Sequence, residues 1–461
     1  MTKHLFDDFN PVSAKQWKQK IQVDLKGADY NDTLIWNANE GISVKPFYHA
    51  DDFNLLPETS NTKATQWKIC ESIFVADVKK SNLKAINAIE RGAESIKFII
   101  PNDTVSIDHL LQNIDLTSTL LYFELQFLNN DYVKHLSVIP ENLDSYRDRI
   151  HIQTDIIGNL ARNGNWFNNL KDDHKHFESI VKNTNSFSID ASLYQNAGAN
   201  MVQQLAYSLA HANEYLNHLD HIIEKKKKQS LQVNFQVSVG TNYFFEIAKL
   251  RASRVLWNTL ASEYNCNTDC NITATPSKRN KTLFDYNTNM LRTTTECMSA
   301  ILGGANTICN LPYDAIYHKN NEFGDRIARN QLLILKHESY FNKVNNPSDG
   351  AYYIESLTKQ LAEEALDLFK NIEANGGFLK QLKEGTIQRK IKESAAKEQQ
   401  QFNIGQEILL GSNKHPNAND KMKHELELYP FVKTNSRKTL IQPIIEKRLA
   451  ETLEQNRLKN E

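Results

Sequence analysis

Short β-type runs recur along this chain with helix-length segments between most of them, and that alternation limits the fold more than any other feature. The runs are WKICESIFV (67–75), ESIKFII (94–100), LLYFEL (120–125), RIHIQTD (149–155), NSFSIDA (185–191), QVNFQVSVG (232–240), CNITATP (270–276) and NTICNLP (306–312). Helical patterns follow near 166–182, 199–223, 243–264, 286–302 and 322–339. A repeating βα order implies parallel strands joined by crossover helices. Eight such units over about 270 residues match a (β/α)8 TIM-type barrel, which takes about 250. A doubly wound open sheet is the alternative, and the weakest junction is between the third and fourth runs, where Pro140 interrupts the helix pattern.

The flanks read differently. Residues 1–66 hold an amphipathic start (SAKQWKQKIQVDLKG) and an extended WNANEGISVKPFY, neither a complete βα unit, so this stretch is expected to be an arm that packs against a partner. Residues 67–344 form the barrel. Residues 345–461 are expected to be a helical extension: Leu361, Ala365, Leu368 and Ile372 recur at helical steps until Gly376-Gly377 stops the helix, and the closing IIEKRLAETLEQNRLKNE reads as a charged terminal helix.

Charge narrows the function. Lys and Arg number 54 against 55 acids, a net charge of −1 that gives no field to draw the chain to nucleic acid or an anionic membrane. No apolar run reaches the roughly 20 residues that span a bilayer, and the N-terminus lacks the features of a secretory signal. Five cysteines in 461 residues are no disulfide framework, so a reducing cytoplasm is the expected compartment.

Few residues look catalytic. Cys266 and Cys270 have a spacing that occurs in zinc sites, but no matching Cys/His pair lies nearby, so no metal is expected. Lys225 to Lys228 read as a solvated loop. Arg251 falls on an apolar helix face, where a guanidinium needs a carboxylate or backbone oxygens; a packing ion pair is favoured over a ligand site. Gly303-Gly304 suit a helix C-cap. The strand ends, where a barrel enzyme keeps its catalytic groups, carry Asp155, Asp190, Thr273, Thr275 and Cys309, with His151 on the fourth strand. That is a poor set for acid–base work.

Several strings, in order, resemble the methylmalonyl-CoA mutases. LIWNANEGISVKPFY looks like the family's W-x-x-x-E-G-I-x-V-x-P-x-Y segment, and WKICESI like its first barrel strand. NLKAINAIERGAESIKF, QNAGANMVQQLAYSLAHANEYL, YFFEIAKLRASRVLW, NTNMLRTTTECMSAILGGANT, DRIARNQLLILKHES, PSDGAYYIESLTKQLAEEALDLFKNIEANGG and LKEGTIQRKI extend the likeness over most of the chain. The resemblance implies a (β/α)8 barrel for acyl-CoA and, in catalytic chains, a cobalamin domain marked by D-x-H-x-x-G. No such string is present; Asp172-Asp173-His174 is the nearest approach, so no cobalamin-binding domain and no cofactor bound by this chain are expected.

Catalytic members also carry barrel residues that are replaced here. Their H-x-Q-T-S-G segment aligns with Thr273-Ala274-Thr275-Pro276-Ser277-Lys278, placing Thr273 at the histidine. Their G-G-T-Q-S-L-H-T segment aligns with Gly303 to Asn310, placing Cys309 at the histidine. A Tyr-His pair becomes Ser192-Leu193, and the substrate-reaching stretch before the first strand becomes HADDFNLLPETSNTKA. Losing imidazoles and phenols removes proton-transfer capacity and hydrogen bonds to substrate. The expectation is therefore a degenerate site (Thr273, Thr275, Cys309, Ser192, Leu193) in a chain similar to the small subunits of heterodimeric bacterial mutases. Such a subunit supports a large catalytic partner that holds adenosylcobalamin and interconverts methylmalonyl-CoA and succinyl-CoA. The alternative is an acyl-CoA-binding or mutase barrel working with a separately encoded cobalamin domain. Family barrels are split to admit substrate; here bulky side chains are expected to fill that space.

Overall fold

The computed structural model describes residues 8–55, 59–60, 62–139, 149–433 and 436–461. Each of the eight runs forms a strand: β1 Lys68–Phe74, β2 Ser95–Ile100, β3 Leu120–Leu125, β4 Ile150–Gln153, β5 Ser186–Asp190, β6 Gln232–Val239, β7 Asn271–Pro276 and β8 Thr307–Cys309. Parallel ladders join β1 through β4 in order and β5 through β8 in order, and β8 pairs with β1 through Cys309↔Cys70. This is a TIM-type barrel, and the open-sheet alternative falls away because first and last strands pair. Pro140 lies outside the described residues.

One junction differs. Among the described residues no backbone ladder links β4 to β5. Side chains bridge them instead: Ser188 Oγ donates to the Thr154 carbonyl (3.3 Å), and the Asp190 N–H donates to Asp155 Oδ2 (2.8 Å).

Strand periodicity sorts residues between the two faces of the wall. Ile96, Phe98 and Ile100 of β2, with Leu121 and Phe123 of β3, face outward into an apolar shell against α1 (Val78–Glu90) and α2 (Asn130–Val138). Phe187, Val233, Phe235 and Ile272 do the same against the helices that follow β5 to β7. Those helices are α3 (Met201–Leu219), α4 (Tyr243–Glu263) and α5 (Thr288–Leu302); α6 (Glu322–His337) follows β8. Phe235 meets Trp257 of α4 edge-on at 5.6 Å, and both are buried. Each such ring contributes about 2–3 kcal/mol by burial. The turn from α5 into β8 requires glycine at Gly304, where φ is +83° and a Cβ would lie 2.4 Å from Thr62 Cγ2.

Outside the barrel, a helix at Ala14–Asp24 is closed by a Ser13–Gln16 capping box and buries none of its residues. The WNANEGISV stretch forms a two-residue antiparallel pairing, Trp36–Asn37 with Ser43–Val44. After the barrel, α7 (Tyr352–Ala374) lies across α3 and α4, with Leu361 and Ala365 fully buried, and α8 (Thr386–Asn403) follows. Arg251 of α4 is bonded to Glu355 of α7 (2.8 Å) and to Asp349 (3.1 Å), so the packing ion pair reaches the C-terminal extension rather than a barrel strand.

The charged terminal helix is shorter than its sequence suggests, Glu451–Lys459 only. Residues 440–449 run extended because their N–H groups are taken by the barrel. Ile441 donates to Gly164 O (3.1 Å), Ile444 to Ala161 O (2.8 Å), Lys447 to Asn196 O (3.1 Å) and Leu449 to Arg279 O (2.8 Å). These acceptors lie beyond the C-terminal ends of β4, β5 and β7, so the segment is a strap across that rim.

Candidate functional site: the barrel lumen and its C-terminal mouth

The inward faces of the strands are polar, unlike the branched aliphatic layers that fill most (β/α)8 barrels. At the floor, Tyr122 is fully buried, stacks on His151 (centroids 5.0 Å apart, 20° between planes) and hydrogen-bonds the Thr307 hydroxyl at 2.7 Å. Asn271 reaches both Tyr122 Oη (3.4 Å) and Asn234 Oδ1 (2.8 Å). Burial pushes the Tyr122 phenol up to about 12, so it stays neutral.

Above this floor Lys97 crosses the lumen, donating to Gln236 Oε1 (2.8 Å) and pairing with Glu124 (2.5 Å). Burial alone would lower the Lys97 pKa, but the Glu124 carboxylate reverses this and holds the ammonium charged. Beyond Lys97 the lumen opens into a cavity of about 760 Å³, within the roughly 300–1,000 Å³ of small-molecule sites. The expected filling by bulky side chains is thus confined to the floor. Many inward positions above it are small or amide-bearing (Ser72, Gln153, Ser238, Thr273, Thr275), with Phe74 and Ile99 the bulky exceptions, and the space stays open.

Of the five positions read as degenerate, Thr273, Thr275, Cys309 and Ser192 line this one cavity. Leu193 does not. It is 1% exposed in the apolar shell, because one step along the short helix after β5 turns its side chain away. Ser192 hydrogen-bonds the Asp190 carboxylate through its hydroxyl, and its N–H donates to the same oxygen at 3.2 Å. Around the mouth, three charged contacts are already formed: Arg162 with Asp190 (2.5 Å) and with Glu446 of the strap (2.7 Å), and Arg329 with Glu71 (2.5 Å). Among the described residues, the cavity wall has neither histidine nor tyrosine.

Asp155 is spent on structure. It caps the helix Ile156–Asn163 through the Gly158 N–H (2.7 Å) and accepts from the Tyr215 hydroxyl (2.5 Å) and from the Asp190 N–H. His211 Nε2 lies 3.0 Å from Asp155 Oδ1, which leaves Nδ1 to accept from Tyr194. Burial would raise the Asp155 carboxyl, but the His211 imidazole and these donors bring it below its ordinary value. The segment before β1 is turned from the cavity: Ser60 bonds Asp349 (2.7 Å) and Thr62 bonds Asn346 (2.8 Å) at the N-terminal end of the barrel, while residues 56–58 and 61 lie outside the described residues.

Lys97, Glu124 and Gln236 were not singled out from the sequence. The signal was there, since Lys97 and Glu124 are charges set among apolar residues of strand runs, and alternation puts them on the inner face. The strap contact Arg162–Glu446 spans 284 positions and left no local signal.

Comparison with known proteins agrees with this architecture. The methylmalonyl-CoA mutase family model matches residues 106–459. A methylmalonyl-CoA mutase small subunit from Porphyromonas gingivalis is 34% identical over 454 residues, covering 91% of this chain and 72% of that protein. The small subunit from Propionibacterium freudenreichii subsp. shermanii is 27% identical, covering 82% of this chain and 65% of that protein. A methylmalonyl-CoA mutase from Cereibacter sphaeroides is 29% identical, and the chain spans 64% of its length. An eight-stranded parallel barrel, matched by the family model over most of its length and by a relative at this identity, leaves one assignment: the chain belongs to the methylmalonyl-CoA mutase family.

Proposed function

We propose that this chain is a non-catalytic small subunit of an adenosylcobalamin-dependent methylmalonyl-CoA mutase, acting in the cytoplasm beside a large subunit that carries out the rearrangement. The observation that carries this reading is the make-up of the cavity wall. Hydroxyls, amides and a thiol stand where acid–base chemistry would need imidazole or phenol, and Lys97, Arg162 and Arg329 are each already neutralised by a carboxylate. A substrate carboxylate would meet those pairs already formed, and Lys278, exposed on the same wall, has no salt bridge among the described residues.

The described residues do not suit a cobalt site. His151 is held in the floor against Tyr122. His174, the nearest sequence approach to the family's cobalt-ligating motif, bonds Leu170 O (2.7 Å) within the helix Leu170–Thr184, and Asp173 beside it is fully buried accepting the N–H groups of Phe167 and Asn168. Adenosylcobalamin is accordingly assigned to the partner subunit. Residues 1–66 are assigned as the partner-wrapping arm, 67–344 as the barrel and 345–461 as the extension. In support, the arm leaves Phe9, Val12, Trp17 and Val23 between 50% and 73% exposed, apolar surface that a partner would cover.

The test is co-expression with a large mutase subunit, followed by size-exclusion chromatography and activity assay. A one-to-one complex with adenosylcobalamin-dependent activity, unchanged by Thr273→His in this chain, is expected. Turnover by this chain after adding only a cobalamin domain would overturn the reading. The open cavity favours a second role, retention of an acyl-CoA; saturable binding of a CoA ester to the isolated chain would support it.

A further inference from the structure

Two of the five cysteines face each other inside the lumen. Cys70 on β1 and Cys309 on β8 are Cα partners in the parallel ladder that closes the barrel. Both line the cavity and both are at most 4% exposed, and the Cys70 thiol donates to the Glu71 carbonyl at 3.8 Å. Neighbouring strands lie about 4.8 Å apart, inside the ~4.4–6.8 Å Cα separation that a disulfide accepts. The other three cysteines do not line the cavity: Cys270 and Cys297 are buried, and Cys266 sits half-buried just after α4.

We propose that Cys70 and Cys309 form a reversible redox site, a dithiol converted to a disulfide by a hydroperoxide that enters through the cavity. The two sulfurs have different parts. Cys309 is the attacking group: the neighbouring Cys70 thiol favours its thiolate, burial opposes this, and the Lys97 ammonium adds to the stabilisation. Cys70, held up by burial, stays protonated and resolves. In the first step the Cys309 thiolate attacks a peroxide oxygen, the O–O bond breaks and hydroxide leaves, giving a sulfenic acid. In the second, the Cys70 sulfur attacks the sulfenic sulfur, the S–O bond breaks and water leaves with the Cys70 proton. Two thiols and one hydrogen peroxide give one disulfide and two waters. Thiol reductants reverse it by exchange.

The site stands apart from the subunit role, since it needs no partner, cofactor or acyl-CoA. Its test is treatment of the reduced full-length chain with hydrogen peroxide, then alkylation, intact mass and non-reducing peptide mapping. The expected result is a linked Cys70–Cys309 peptide and a mass loss of two hydrogens, restored by dithiothreitol. In Cys70→Ser, dimedone is expected to trap a sulfenic acid on Cys309; in Cys309→Ser, no link forms and Cys70 stays unlabelled. Oxidation confined to Cys266, or stable overoxidation of either lumen thiol without a link in the wild-type chain, would overturn the proposal. The wild-type map decides this even if a variant fails to fold. Dimedone on Cys70 in Cys309→Ser would overturn the assignment of the two parts.

Discussion

The same eight strands present two different surfaces. Outward, Ile96, Phe98, Phe123, Phe187 and Phe235 meet helices in a dry shell; inward, Lys97, Tyr122, Gln236 and Asn271 form a hydrogen-bonded lining. The shell is held by area and shape, so nearly every atom counts. The lining is held by a few specific pairs, and its upper part borders open space. Stability therefore rests mainly on the outer shell.

That contrast can be broken at graded points. Phe235→Ala should cost the most, about 3–5 kcal/mol in urea unfolding, because it leaves a cavity against Trp257; a cost below about 1 kcal/mol would mean that the shell is not the main support. Asp155→Asn is next, at about 3 kcal/mol, since it strips the charge from a largely buried, hydrogen-bonded carboxylate that joins β4 to β5. Its pH signature has a fixed sign. The folded value lies below the unfolded one, so the contribution is complete above about pH 4 and fades as pH falls through the folded value. The wild-type chain should lose this increment in acid titrations below about pH 4, and the variant should lack that step. Tyr122→Phe should cost about 1 kcal/mol by leaving the Thr307 hydroxyl without its phenol partner, read from the thermal midpoint. Thr275→Val, at the half-open cavity wall, should stay within about 0.5 kcal/mol; a larger loss would place part of the stability in the lumen.

The barrel was legible because alternation and helical spacing are local. All eight runs became strands, and the helix patterns after them matched to within a few residues at their ends. The (β/α)8 order followed, and so did the gathering of Thr273, Thr275, Cys309 and Ser192 at one mouth, since strand ends in a barrel converge. What escaped was long-range. Ile444 to Ala450 carry a helical pattern, yet Ile444, Lys447 and Leu449 give their N–H groups to the rim, which outweighs propensity. Leu193 follows the same rule: adjacency to Ser192 in sequence says nothing of side-chain direction once a helix begins. The Lys97–Gln236 bridge depended on which strands face each other across the bore, and only the closed barrel defines that.

The β4–β5 junction has a mechanical consequence. Among the described residues, seven joints of the cylinder are stitched by main-chain ladders, whereas the eighth is fastened by side chains, those of Asp155 and Ser188 and the Arg162–Asp190 pair. Any swelling of the bore concentrates at the weakest fastening, so the wall parts there like a split ring while the other joints keep their register. The gap made this way is a lengthwise slot beside Gln153 and Asp190, both on the cavity wall, and the strap, anchored at Ala161 on one side of that joint and at Asn196 on the other, limits how far it opens.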